Sequence, residues 1–149
     1  MSFKYNSSGD CGPRNIYLPD SVERVNLTSV NYPNTYKDDM LCEWIVSTTH
    51  EGTTSPMFYV YVEIIDFQLE RGYDFLTIGS GNSSLLSEST LVKLTGEQKL
   101  LSVSVQNPIT WMVFETDRSG GRRGFVITLG QKPLVEYGRL ERSLLKKCV

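Results

Sequence analysis

A chain of 149 residues suits a single domain with a core of its own. Its 40% hydrophobic, 11% aromatic and 21% charged residues describe a globular protein rather than a disordered one. A net charge of −2 supplies no overall electrostatic drive toward nucleic acid, and no apolar run approaches the roughly 20 residues of a membrane-spanning helix.

Residues 1–10 are polar and expected to be a flexible N-terminal segment; residues 1–5 lack the apolar stretch of a signal peptide. The chain is therefore expected to be either cytosolic or a piece of a longer secreted protein. Cys11-Gly12-Pro13 opens the ordered part, and Ile16 to Val30 alternates loosely as short strands broken at Pro19-Asp20-Ser21. Ser29-Val30-Asn31-Tyr32-Pro33-Asn34-Thr35-Tyr36 is rich in turn formers, and Pro33 forbids a helix there. Cys42-Glu43-Trp44-Ile45-Val46 alternates with Cys42, Trp44 and Val46 on one face, as a half-buried strand does.

A Thr/Ser/Gly loop containing His50 leads to Phe58-Tyr59-Val60-Tyr61-Val62-Glu63-Ile64-Ile65, expected to turn Val60, Val62 and Ile64 inward and Tyr59, Tyr61 and Glu63 outward. Asp74 to Ile78 reads as a strand stopped by Gly79-Ser80-Gly81-Asn82, followed by Val92 to Leu94, Leu100 to Val105, Trp111 to Phe114 and Gly124 to Leu129. Trp44 and Trp111 read as core residues. Short strands between regular turns, with no convincing amphipathic helix, predict an all-β antiparallel sandwich or barrel. Residues 131–149 differ, with Leu134, Tyr137, Leu140, Leu144 and Leu145 at helix-compatible spacing among basic residues; a tail, a linker or the start of another segment all fit.

The chemistry concentrates where the long apolar strand ends. Glu70 and Asp74 lie four positions apart on either side of Gly72, and Asp117-Arg118-Ser119-Gly120 brings a third acid with a neighbouring hydroxyl in a similar turn. Carboxylates at strand ends and tight turns suit a hard cation, and the two segments read as halves of one calcium site; magnesium demands stricter octahedral geometry. The alternative is three acids that each solvate a loop. Arg118, Arg122 and Arg123 beside the third acid read as a solvated loop before they read as a patch for sulfated glycan or an acidic partner.

Catalysis is expected to be absent. A lone histidine, His50, excludes a histidine metal triad, and no Gly-x-Ser-x-Gly, phosphate-binding glycine loop or His-Glu-x-x-His occurs. The three cysteines, Cys11, Cys42 and Cys148, contain no C-x-x-C pair, which argues against zinc and thioredoxin-type chemistry. Sequons at Asn6, Asn26 and Asn82 are glycosylation candidates and favour the secreted alternative.

Taken in register, Cys11-Gly12, the Ser29 to Tyr36 segment, Cys42-Glu43-Trp44, Asp66-Phe67-Gln68-Leu69-Glu70 with Tyr73-Asp74-Phe75, Phe114-Glu115-Thr116-Asp117 and Gly124-Phe125 resemble a CUB domain over about residues 11–130. The resemblance implies a CUB-like jelly roll, a sandwich of two antiparallel sheets, in a secreted protein or membrane-protein ectodomain. For calcium-binding members it implies Glu70, Asp74, Asp117 and Ser119 as the metal ligands, with Tyr36 in support. Within it Cys11 and Cys42 read as a disulfide, which two buried thiols would replace only in a reducing compartment. Cys148 is left over, to pair outside this chain or as an accident of where the chain ends.

The resemblance departs in two places. The family's second disulfide is missing, its positions reading Arg71-Gly72-Tyr73-Asp74 and Leu94-Thr95-Gly96, and the loop between Glu70 and Asp74 is shorter than usual. A shorter loop is expected to need no anchor, and convergence of its two acids becomes the test of the site. The expected function is an extracellular calcium-binding module that engages a Lys or Arg of a partner protein through calcium-ordered acids, with oligomerisation through flanking segments available for avidity. The alternatives are a structural spacer or dimerisation unit, and an accessory domain that binds carbohydrate or lipid.

Overall fold

The computed structural model describes residues 8–19, 24–48, 58–82 and 89–133. After a helical turn at Ser8–Cys11 the described residues form ten strands: β1 (Asn15–Tyr17), β2 (Val25–Thr28), β3 (Leu41–Ser47), β4 (Phe58–Gln68), β5 (Phe75–Ser80), β6 (Thr90–Leu94), β7 (Glu97–Gln98), β8 (Leu101–Ser104), β9 (Ile109–Glu115) and β10 (Gly124–Pro133). One sheet runs β1-β3-β9-β5-β6, and the other β2-β10-β4-β7 with β8 also paired to β4. Every pairing is antiparallel except β1 with β3, so the expected sandwich is present with one parallel edge. Among the described residues no helix is long and apolar enough to cross a membrane.

The alternation seen in the sequence becomes two inward faces. Cys42, Trp44 and Val46 of β3 oppose Phe114, Met112 and Thr110 of β9, while Val62 and Ile64 of β4 oppose Leu129 and Ile127 of β10; all ten are buried. Between the sheets Phe125 packs edge-on to Trp44 and Phe114, with centroids 6.3 and 5.1 Å apart, and stacks on Phe67 at 6.2 Å. Such edge-to-face pairs add to simple area burial.

The pairing of β10 with β4 slips by one residue between Val126 and Ile127, so that Ile65 is left over on β4. The bulge switches phase: Val60, Val62 and Ile64 point inward before it, and Phe67 and Leu69 after it, all buried, while Ile65 is 51% exposed. An extra residue in a ladder does this because side chains alternate with period two. Without it, Phe67 would face solvent and the acids after it would leave the sandwich on the wrong side.

One expectation is corrected and two are refined. Gly79 does not stop a strand: it lies inside β5, paired with Trp111 across the ladder, and a Cβ there would collide with the indole. Trp111 is buried but lies outside the inter-sheet core, on the outer face above that glycine, with its Nε1–H donating to Ser89 Oγ at 2.9 Å. Tyr61 points outward as expected, yet is only 8% exposed, because Arg24 and Lys132 cover its ring at 5.2 and 4.5 Å and Gly130 sits against it. Long basic side chains cover apolar surface in this way. His50, Cys148, Asn6 and the tail beyond Pro133 lie outside the described residues.

The helical turn is tied to β3 by a disulfide between Cys11 and Cys42, 31 residues apart, and by Trp44 Nε1–H donating to the Cys11 carbonyl at 2.9 Å. Cross-linking a loop of this length constrains the unfolded chain, and the double variant Cys11→Ser/Cys42→Ser should lose about 3 to 4 kcal/mol in chemical denaturation. An unchanged midpoint would show that the bond adds nothing to the fold.

Candidate metal centre

At one end of the sandwich, chain segments pass from one sheet to the other and bring together Tyr36 of the β2–β3 connection, residues 70–74 between β4 and β5, and residues 117–123 between β9 and β10. Asp74 is the centre. It is fully buried, its Oδ2 accepts from the Tyr36 hydroxyl at 2.5 Å, and its Oδ1 accepts from the Asp117 backbone N–H at 2.8 Å. Tyr36, itself 2% exposed, also accepts from the Glu70 N–H at 3.0 Å. One buried hydroxyl therefore fixes both acids of the short turn, and its burial and its bond to Asp74 push its own pKa up.

Short as it is, the turn does converge. Carboxylate oxygens of Glu70, Asp74 and Asp117 all lie within 4.8 Å of one another. The backbone is closed by the N–H groups of Tyr73 and Asp74, which both donate to the Glu70 carbonyl, at 3.2 and 3.0 Å. Contrary to the expectation that a shortened loop needs no anchor, this one is held by Thr95: the Gly72 N–H donates to Thr95 Oγ1 at 2.9 Å, and that hydroxyl lies 2.7 Å from the Asp74 carbonyl and 3.2 Å from that of Glu70. On the far side, Gly120 has φ +82° and a Cβ there would overlap the Glu70 carboxylate, so only glycine lets the acid lie against this loop.

Electrostatically the cluster is strained. Burial first, then the charges of Asp117 and Asp74, raise the pKa of Glu70, with Arg122 opposing; burial likewise raises Asp74, against the hydrogen bonds from Tyr36 and Asp117. Neighbouring carboxylates disfavour one another's charge unless a cation intervenes. The donor set is all oxygen, both carboxylate oxygens of Asp74 keep a lone pair after the one described hydrogen bond each accepts, and metal–oxygen distances of about 2.3–2.6 Å allow ligand oxygens up to about 5 Å apart. The residues present therefore fit a calcium ion. Ser119 is exposed and contributes a backbone N–H, 3.3 Å from Asp117 Oδ1.

The neighbouring arginines divide. Arg122 folds onto its own loop, donating to the carbonyls of Gly120 and Gly121 at 2.6 and 3.2 Å. Arg123 grips Asp66 of β4 with two bonds of 2.8 and 2.7 Å, and Tyr32 adds its hydroxyl to the same carboxylate. Only Arg118 of the three is exposed without such a described bond to its side chain, which fits a loop brace rather than an anion patch. Sequence reasoning missed Thr95, Gly120 and the Arg123–Asp66–Tyr32 clamp, because none has a local pattern: their partners lie 21 to 57 residues away. Of the sequons, Asn26 is exposed on β2 and Asn82 is exposed just after β5.

The family model for the CUB domain matches residues 20–129. Bone morphogenetic protein 1 from Xenopus laevis is 30% identical over 105 residues, covering 67% of this chain but 14% of that protein. Among solved structures, the full extracellular region of zebrafish Gpr126/Adgrg6 is 25% identical with a TM-score of 0.64, over 81% of this chain and 15% of that one. The MASP-1 CUB2 domain bound to Ca2+ gives 21% and 0.60, over 77% and 96%. The chain thus spans a small part of the larger relatives.

The Asp66 clamp titrates in a predictable window. The side-chain hydrogen bonds from Arg123 hold the carboxyl down to about 2 from an ordinary 3.8, against the opposing effect of burial. A lowered folded-state pKa gives stability that is present above about pH 4 and lost as the pH falls toward 2. Asp66→Asn should remove a stabilisation on the order of 1 to 2 kcal/mol at pH 7, after allowing for solvent screening, and should flatten that part of the acid-unfolding curve. Identical curves for the two proteins would show that the clamp is not formed in solution.

Proposed function

Because the chain belongs to the CUB domain family, whose members are generally non-catalytic interaction modules of extracellular proteins and ectodomains, we propose that it is an extracellular module that binds one calcium ion at Glu70, Asp74 and Asp117 and uses those acids to engage a Lys or Arg of a partner protein. The observation that carries this reading is the convergence of the three carboxylates behind a turn lacking the usual second disulfide. A solved relative, the CUB2 domain of MASP-1, holds Ca2+. A bound calcium supplies the positive charge that lets three adjacent carboxylates stay ionised.

The residues divide the work by burial. Asp74, enclosed and held by Tyr36 and Asp117, aims its remaining lone pairs into the site and is shielded from any partner. Glu70 and Asp117 are half-buried, so their outward lone pairs are the ones an ammonium or guanidinium can reach. Ser119 and water complete the oxygen set. One captured cation is a small footprint, so the isolated contact is weak, salt-sensitive and dependent on neighbouring modules or oligomerisation for avidity. In the same extracellular setting Asn26 and Asn82 are accessible acceptors for N-linked glycan.

Thermal unfolding with chelator and with millimolar calcium tests the site. A ligand confined to the folded state adds about 2.7 kcal/mol at one hundred times its dissociation constant, raising the midpoint by several degrees. The rise should vanish in Asp117→Ala, which removes one of the three acids while leaving the Asp117 backbone N–H to hold Asp74. A midpoint indifferent to calcium would leave the spacer reading in its place. A calcium-dependent rise combined with partner binding that survives Glu70→Gln would refute the cation-capture step alone.

A further inference from the structure

The link from residue 95 to residue 96 joins β6 of one sheet to β7 of the other, beside the β4–β5 turn that makes the opposite crossing. The two connections are sewn together. The Leu69 N–H donates to the Gly96 carbonyl at 2.8 Å, and the Thr95 hydroxyl enters the turn itself. That hydroxyl accepts from the Gly72 N–H and, with its one proton, donates to the Asp74 carbonyl at 2.7 Å, the Glu70 carbonyl at 3.2 Å being a second, longer acceptor. A single Oγ1 thus touches the backbone of both acid residues and of the glycine between them. Thr95 is in turn held in place, its carbonyl accepting from Gln98 Nε2 at 3.0 Å.

We infer that Thr95 is a positioning residue for the acid site: its hydroxyl fixes the spacing of Glu70 and Asp74, and with it the affinity of the site for calcium. The inference rests on the calcium reading above. Thr95 offers no ligand atom to the ion and acts only through the two acids. Glu70 and Asp74 repel one another, and a turn of five residues containing a glycine at φ +81° has the freedom to relax by letting them part. The hydroxyl removes that freedom before any ion arrives, so the ion does not have to order the turn as it binds. Partners one step behind a ligand act by orienting it, and losing one typically weakens metal binding about 10- to 100-fold.

Calcium titration calorimetry on the chelator-stripped full chain tests this with Thr95→Val, which keeps the shape and deletes the hydroxyl, and Thr95→Ser, which keeps the hydroxyl. Thr95→Val should bind about 10- to 100-fold more weakly while Thr95→Ser stays close to the wild type. A merely structural threonine would instead lower the unfolding midpoint in chelator with no change in affinity at a temperature where all three proteins are folded. Equal affinity of wild type and Thr95→Val overturns the inference and leaves calcium binding intact; a wild type that takes up no calcium ends both. Should Thr95→Val fail to fold, amide hydrogen exchange at Gly72 in the calcium-free wild type decides the matter. Protection of that N–H supports the latch, and exchange at the rate of an open turn overturns it.

Discussion

The buried carboxylate of Asp74 is the constraint on which this end of the molecule depends. An isolated carboxylate taken out of water is costly, and here the cost is offset by two donors that come from different connections, the Tyr36 hydroxyl and the Asp117 N–H. Those donors fix the β2–β3 and β9–β10 segments relative to the β4–β5 turn. Tyr36 then passes the constraint into the core, its ring edge-on to Phe114 at 5.3 Å, as Phe114 is to Phe125 at 5.1 Å. Site and core are one packed unit, because Tyr36 belongs to both.

The bulge at Ile65 makes the same point from the side of the backbone. Its one extra residue keeps Phe67 and Leu69 in the core beyond the shift in register, which delivers Glu70 to the mouth of the sandwich. It also leaves Asp66 outward, where Arg123 and Tyr32 brace it. The brace spans the loop that carries Asp117 and the segment that carries Tyr36, so an ion pair on the outer face steadies the two connections that enclose Asp74.

Much of this was legible in the sequence. Period-two alternation located β3 and β4 and named their inward residues, short strands between turns marked β9 and β10, and the order of short motifs pointed to the family. The three acids were legible because carboxylates at strand ends are unusual enough to stand out. Local pattern could not reveal what depends on distant pairing. The chain looks the same whether Gly79 ends a strand or leaves room for Trp111, and Tyr61 reads as exposed until Arg24 and Lys132 lie over it. Thr95 is the clearest case: the missing cysteines suggested a loop freed from its anchor, whereas a hydroxyl 21 residues from Asp74 supplies one. A hydrogen-bond latch leaves no signature of the kind a cysteine pair does.

The most direct measurement is a crystal structure grown in millimolar calcium. The account predicts a single ion among Glu70, Asp74 and Asp117, with six to eight oxygens at about 2.3–2.6 Å and the Tyr36–Asp74 and Thr95–Asp74 bonds retained. A water molecule or the Arg122 side chain in that place, with the three carboxylates turned apart, would contradict it.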